Sequence, residues 1–416
     1  MAGPLSHLRV LDLTRVLAGP WCTQTLGDLG ADVIKVERPD TGDDTRAWGP
    51  AWLSDADGKE TEDSAYFSSC NRNKRSLTVD ISKPEGQKLL QELAAKCDIL
   101  VENYKLGDLK RYGLDYASLS TVNPKLVYCS ITAYGQDGPY AHRPGYDLLC
   151  QAEGGLMAIN GHADVDKGGP GGGPVKVVIA VTDVLSGLNA TIAVLAAIEA
   201  RHITGRGQHI DIALLDSIVQ FGANQIATYF ITGKLPQRVG NAHVNLAPYQ
   251  SFRTADGYMI VGAGNDGQWR KLCDAMGVPD MAFRPEYLEM KDRNANRPQL
   301  VVDLEAILTT QTTEFWLDKF GSLGIPHAPI NTYDQVFSHP QVQHRELRLD
   351  MRRPPEQGGG NVAMVRSPIR MSDTPVTYRH APPVKGSSTA DVLRDILGKS
   401  EAEIDALKTV TSIDDE

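Results

Sequence analysis

Cysteine is scarce and unpatterned: six residues, at positions 22, 70, 97, 129, 150 and 273, are spread through 416 with no CxxC pair. That usage excludes a disulfide-stapled secreted scaffold and points to reduced thiols in a cytoplasmic compartment. An excess of positive charge is missing too. Lys and Arg number 42 against 52 Asp and Glu, a net charge of −10, so no global basic field exists to hold a nucleic-acid backbone. The start, MAGPLSHLRV, lacks the basic stretch followed by an apolar run of an export signal. No clean apolar run is long enough for a bilayer, since the most apolar stretch, 175–200, carries Lys176, Asp183, Asn189 and Glu199. HExxH, GxSxG and Cys/His ligand spacings are also absent. Neither a zinc site nor a serine hydrolase is indicated, and no bound metal is expected.

What is present is strand and helix in alternation, over a length that suggests two or three structural units. LRVLDLT, DVIKVE, RSLTVDI, CDILVEN and KLVYCSITAYG read as strands, with helical segments such as KPEGQKLLQELAAK between them. Repeated β-α-β alternation predicts an α/β fold with a parallel sheet, helices on both faces, and ligands at the C-terminal ends of the strands. After the glycine/proline stretch 166–174, read as a mobile loop, VKVVIAV reads as another strand. A helix follows from about Thr182, its N-cap, with Val184, Leu185, Leu188, Ile192, Leu195 and Ile198 on one face. The centre changes character: YQSFRT and YMIVGAG flank ADG, a hairpin signal. The expected organisation is a large α/β domain beginning at 1–225, a small α+β domain at 245–332, and a segment 333–416 packing back on the large domain.

GAGNDG (262–267) matches GxGxxG, but no parallel strand ending in an acid follows about 20 residues later, so it reads as a tight turn. Asp183 carries more chemistry. A carboxylate in the first turn of a buried helix sits where free N–H groups and the helix dipole favour its anion, an oxygen nucleophile needing no neighbouring base. Any helix start accepts Asp for the same reason. Arg38, just after the second strand, occupies the place that lies beside the ribose in nucleotide-binding α/β folds, and NRNKRS (71–76) is a local basic patch in an acidic chain.

VLDLTRVLAGP, LGADVIKVERP, GDDTR, NRNKRSLTVDI, ILVENY, YCSITAYGQDGP, GYDLL, TDVLSGL and ARHITGRGQHIDIALLD, in this order along nearly the whole chain, resemble the class III CoA-transferases. The resemblance implies a Rossmann-like large domain built from both chain ends, a smaller central domain, and an interlocked homodimer. By matching position it makes Asp183 the nucleophile and Tyr146 an active-site residue. Arg38, Val79, Asn103, Tyr104 and Arg111 become CoA contacts, and Leu17 lines the site beside the LAGP turn. It also implies no permanently bound cofactor: coenzyme A and acyl-CoA come and go as substrates, and CoA passes through an aspartyl-CoA thioester.

The glycine run that covers the aspartate in formyl-CoA transferases is replaced by GNAHVNLAPYQSF (240–252). This stretch is more similar to the dicarboxylate-using members, which implies succinyl-CoA as donor and a dicarboxylate such as glutarate as acceptor. A distal carboxylate needs a donor, and Arg15, Arg46 and His243 are the candidates. The alternative on the same fold is an α-methylacyl-CoA racemase-like isomerase. Its catalytic histidine would fall at Tyr146, and a tyrosine exchanges protons poorly near neutral pH.

Overall fold

The computed structural model describes residues 3–162 and 173–411. The chain divides into two compact units, one of Met1–Leu156, Val177–Ala227 and Gln343–Glu416, the other of Met157–Lys176 and Thr228–Val342. Three boundaries differ from expectation: residues 157–162 and 173–176 leave the large domain for the second unit, that unit resumes at Thr228 rather than 245, and 333–342 belong to it rather than to the C-terminal segment. The glycine/proline stretch read as a mobile loop falls, apart from Gly173 and Pro174, outside the described residues.

The first unit holds strands β1 (Arg9–Leu13), β2 (Asp32–Glu37), β3 (Trp52–Ser54), β4 (Glu60–Ser64), β5 (Lys74–Thr78), β6 (Ile99–Glu102), β7 (Val127–Thr132) and β8 (His209–Ala213). Six of them form one sheet in the order β5-β2-β1-β6-β7-β8, every neighbouring pair parallel. Counted within this sheet the order is 3-2-1-4-5-6, the doubly wound Rossmann arrangement. The two-residue period of β1 sends Leu11 to one face with Ile34, Leu77 and Leu100, and Val10 to the other with Val33, Ile99 and Val127. Helices Pro84–Ala94 and Thr389–Leu397 cover the first face through Leu89, Leu93, Val392 and Leu393. Ala18–Asp28, Val181–Thr204 and Leu214–Phe221 cover the second. With both faces covered, β6 and most of β7 read as apolar runs, whereas β1, β2 and β5 carry the buried polar residues Asp12, Lys35 and Lys74.

Val181–Thr204 is long and apolar enough by composition to cross a bilayer, but it is a core helix of this unit. Ala190, Val194, Ala197 and Ile198 pack with Cys22 and Leu26, and a Cβ on Gly187 would lie 2.5 Å from the Ala18 carbonyl oxygen. Gly205, at φ +71, ends the helix in the left-handed conformation that glycine tolerates best. Upstream, the expected strand VKVVIAV is absent: residues 175–180 pair with no strand, and the helix starts at Val181, so Thr182 lies inside the first turn and is not its cap.

The second unit carries β9 (Tyr249–Arg253), β10 (Tyr258–Gly262) and β11 (His327–Pro329) in an antiparallel sheet with β10 central. Phe252, Met259 and Val261 meet Trp269, Leu272, Leu304, Trp316 and Phe320 from the helices Asp266–Met276, Arg297–Leu308 and Thr313–Ser322. GAGNDG joins β10 to the first of these, and Asn265 caps that helix by accepting the Gln268 N–H at 2.9 Å. The antiparallel strand before it rules out a dinucleotide βαβ unit. Strands β12 (Arg348–Arg352) and β13 (Asn361–Val365) form a hairpin in the first unit.

Candidate active site

In the first unit the strand order reverses between β1 and β6, and the crevice above their C-terminal ends is the expected ligand position of such a sheet. The turn after β1, Thr14 to Leu17, occupies it. Val16 takes φ +71 there, a strained value for a β-branched residue that persists only where surroundings enforce it. They do. Asn103, next to β6, accepts the Arg15 N–H at 2.9 Å and donates to the Arg15 carbonyl at 2.7 Å. Asp43 accepts the Val16 N–H at 3.3 Å, and Lys35 donates to the Thr14 carbonyl at 3.0 Å and to Asp43 at 2.8 Å. Asp12, at the end of β1, accepts from Thr14, from Thr23 and from Lys74 at 3.0 Å.

These buried carboxylates are held ionised. Burial alone would raise the Asp43 carboxyl, but Lys35 and the Thr45 N–H and hydroxyl overcome it and hold the group at about 2. Burial likewise opposes ionisation of Asp12, and Lys74 and Lys35 hold it below the usual carboxylate range. The motifs VLDLTRVLAGP, LGADVIKVERP, GDDTR and NRNKR therefore supply one ionic scaffold that sets the turn.

Asp183 stands in the opposite environment. It is half-buried in the first turn of Val181–Thr204, four residues before Gly187, where that helix touches the start of Ala18–Asp28. Asp147, first residue of the helix Asp147–Glu153, accepts the Thr182 N–H at 2.9 Å and the Gln151 amide at 2.8 Å. Burial, together with the Asp147 carboxylate, pushes the Asp183 carboxyl up to about 7. The expectation that the helix terminus keeps this residue fully ionised is corrected here. A helix end contributes roughly 0.3–1 kcal/mol, and burial beside a like charge outweighs it. At neutral pH Asp183 is partly ionised, and its anion is the poorly solvated carboxylate a nucleophile requires. The Tyr66 phenol is pushed up to about 12 by burial and by the charges of Asp183, Cys70, Asp147 and Asp43.

Some of the remaining predicted residues gather in one place and the others lie apart. Leu17 (buried, before the helix Ala18–Asp28), Arg15, Asn103 and Tyr104 gather at the switch point. Arg15 lies 5.6 Å above the Tyr104 ring and pairs with Asp44 at 2.9 Å, and Arg38 pairs with the same carboxylate at 2.5 Å. Val79, just beyond β5, is buried, with its N–H given to the Glu37 carbonyl at 2.9 Å. Tyr146, 71% exposed, immediately precedes Asp147. Arg111 is exposed, paired with Asp108 at 3.0 Å and stacked over Tyr112. His243 lies in the second unit, where its Nδ1 accepts the Asn245 and Leu246 N–H groups at 3.1 and 3.2 Å. Arg46 does not fit a substrate role. It is buried, bonded to Glu37 through two nitrogens at 2.7 Å, to Asp63, and to the Pro383 carbonyl, with its guanidinium 3.7 Å over Phe67. Its donors hold the scaffold together, and freeing them for a ligand would take the guanidinium from buried Glu37 and leave buried Asp63 with Arg353 alone.

Sequence reading missed Asp147, Tyr66 and Glu102. Asp147 stands beside Tyr146 in GYDLL, where an acid in a helix first turn was visible but its partner was not. Glu102, at the end of β6, is pushed up to about 7 by burial, although it accepts the Tyr104 N–H at 2.7 Å. It borders a cavity of about 260 Å³ also lined by Tyr104, Lys105, Lys110, Tyr116 and His209.

The sequence profile of CoA-transferase family III matches residues 5–389. The succinate–glutarate CoA-transferase of Agrobacterium fabrum is 44% identical over 94% of this chain and 96% of its own. The succinyl-CoA:glutarate CoA-transferases of Mus musculus and Homo sapiens are 42% and 40% identical, over 97% and 99% of this chain and 89% and 90% of theirs. A CAIB/BAIF family protein from Brucella suis superposes with a TM-score of 0.84 at 43% identity, covering 95% of this chain and all of that one. Rv3272 from M. tuberculosis superposes at 0.80 with 31% identity, over 94% of this chain and 99% of its own. With the Rossmann strand order, the relatives' identities and a profile match along nearly the whole sequence in agreement, this chain belongs to CoA-transferase family III.

Proposed function

We propose that this enzyme moves CoA from succinyl-CoA to a dicarboxylate such as glutarate, with Asp183 as the covalent carrier. The observation that carries the covalent role is the half-buried Asp183 carboxyl, at about 7, in the first turn of a helix packed against the switch-point turn. The acyl pair rests on the glutarate-using relatives.

An Asp183 oxygen attacks the succinyl carbonyl, the C–S bond breaks, and CoA leaves as thiolate with a mixed anhydride on the enzyme. The thiolate then attacks the Asp183 carbonyl and succinate departs, leaving aspartyl-CoA. The acceptor carboxylate attacks that thioester and releases thiolate, which takes the acyl group from the second anhydride and regenerates Asp183. No ATP is consumed, because each intermediate is a thioester or an anhydride. Each tetrahedral oxyanion carries charge that exists only along the path, so fixed N–H dipoles stabilise it selectively.

CoA lies, in this reading, over the switch point along Leu17, Arg38, Val79, Asn103, Tyr104 and Arg111, with Tyr146 beside the reacting centre. Because the Asn103 side chain is committed to Arg15, its contact to CoA runs through the backbone. Arg15 supplies the cation for a distal carboxylate. The interlocked homodimer and a cytoplasmic location complete the proposal. Six unpaired, buried cysteines support the second.

Incubation with succinyl-CoA and no acceptor is expected to allow hydroxylamine trapping of an aspartyl hydroxamate on the VTDVLSGL peptide. A racemase would leave Asp183 unmodified. In a donor–acceptor screen, C4 to C6 dicarboxylates are expected to outperform oxalate and monocarboxylates, and the reverse ranking would overturn the acyl pair.

A further inference from the structure

Two residues assigned to the reaction centre, Tyr146 and Asp183, lie on different helices, and one side chain joins those helices at their first turns. Asp147 follows Tyr146 directly, and Thr182 precedes Asp183 directly. One Asp147 oxygen accepts the Thr182 N–H at 2.9 Å and the other accepts the Gln151 amide at 2.8 Å. Gln151 is itself anchored, because its carbonyl accepts the Val177 N–H at 2.9 Å. Asp147 thereby satisfies one of the free N–H groups at the start of Val181–Thr204, a helix whose own preceding residue, Ala180, has no side chain to do so. Both contacts lie within the first unit.

Its charge acts on the same place. The titratable groups facing Asp183 are Asp147 and the Cys150 thiol from one helix and the Tyr66 phenol from the helix Ala65–Ser69. Burial and the surrounding acids push Cys150 and Tyr66 up to about 12. Both are neutral at physiological pH, which leaves Asp147 as the fixed charge on Asp183.

We propose that Asp147 is a positioning residue of the transfer reaction: it fixes the start of the Asp183 helix, and its carboxylate favours the acylated, neutral state of Asp183 over the free anion. This rests on the covalent role of Asp183. The physical basis is that both the mixed anhydride and the aspartyl-CoA thioester remove the negative charge from the side chain beside Asp147. Repulsion present in the free enzyme is absent in the intermediate, and it returns only when the acceptor discharges CoA. A carboxylate that is also a bonded anchor cannot swing away to relieve the repulsion.

Two variants separate anchor from charge. Asp147→Asn keeps an oxygen for the Thr182 N–H and removes the charge, whereas Asp147→Ala removes both. The first readout needs no catalysis: the thermal midpoint of Asp183→Asn minus that of the unmodified enzyme, followed from pH 4 to pH 8.5. That difference is expected to grow from about pH 4 and level off near pH 7, and in the Asp147→Asn background to level off at least one pH unit lower and at a smaller value. The second readout is the equilibrium ratio of aspartyl-CoA to free enzyme after mixing with acyl-CoA at pH 8. It is expected to fall about tenfold in Asp147→Asn, the factor corresponding to one pH unit, and further in Asp147→Ala. An unshifted thermal profile, or equal losses in both variants at every pH, would overturn the proposal and leave Asp147 a structural cap. Failure of hydroxylamine trapping in the unmodified enzyme would overturn the covalent role itself, and the thermal titration distinguishes that result from an absence of coupling.

Discussion

The turn after β1 and the start of the helix Val181–Thr204 both place carboxylates in low-dielectric surroundings, yet with opposite results. At the turn, Asp43 is held at about 2 and Asp12 below its ordinary range because Lys35 and Lys74 are buried with them. At the helix start, burial and another acid raise Asp183 to about 7. The same desolvation acts on all three, and the sign of the nearest charge decides the outcome. A compensated buried acid holds backbone in place, as the strained Val16 shows. An uncompensated one carries a charge that protonation or acylation would relieve.

The largest effect is expected at the uncompensated acid. Asp183→Asn keeps the shape and removes the nucleophile, so CoA transfer should fall by at least about 10³-fold, with CoA binding retained in calorimetry. Full transfer with deamidation excluded by mass would place the chemistry elsewhere. At the compensated acids the effect belongs to folding. Lys35→Met leaves Asp43 buried and unpaired, and should lose roughly 3–5 kcal/mol in urea unfolding. Adding Asp43→Asn to that variant is expected to recover much of the loss, and failure to recover would mean that Asp43 serves the turn independently of Lys35.

The two regions should also separate by pH. The depressed Asp43 contributes stability above about pH 4 that is lost as pH falls toward 2. The raised Asp183 works the other way: its ionisation takes stability away as pH climbs from about 4 through 7. Asp183→Asn is thus expected to raise the melting temperature at pH 8 and leave it unchanged at pH 4. In the unmodified enzyme, single-turnover acylation should rise with pH through about 7. A gain independent of pH would show that the asparagine acts through packing rather than charge.

Among the arginines, Arg46→Ala should destabilise the fold with every acceptor affected alike, because it takes the guanidinium from buried Glu37 and leaves Asp63 with Arg353 alone. Arg15→Ala should raise the KM for a dicarboxylate more than for a monocarboxylate. The smallest stability effect is expected at Arg111, whose exposed pair with Asp108 contributes roughly 0–1 kcal/mol. Arg111→Ala should leave thermal stability nearly unchanged and weaken CoA binding, measured by calorimetry.

Much of this was legible in the residues. The strands β1, β2, β5, β6 and β7, the antiparallel β9 and β10 and the helix after Asn265 follow from periodicity and turn residues, which depend on neighbours in the chain, whereas β3 and β4 are not among the expected strands. VKVVIAV misled because β-branched residues favour strands only where a partner strand is available, and 175–180 has none. Arg46 misled for a related reason: an arginine reads alike whether its guanidinium faces solvent or meets Glu37 and Asp63 from remote positions.

The sequence by itself determined the alternation of strand and helix, the antiparallel character of the centre and, through its ordered motifs, the family and the position of Asp183. These depend on local propensity and on which residues occur in which order. Tertiary structure alone decided which acids are compensated. Asp12 meets Lys74 across 62 positions and Asp147 reaches Thr182 across 35. A carboxylate's charge state is set by what lies within a few ångströms of it in space, and the order of residues along the chain does not carry that distance.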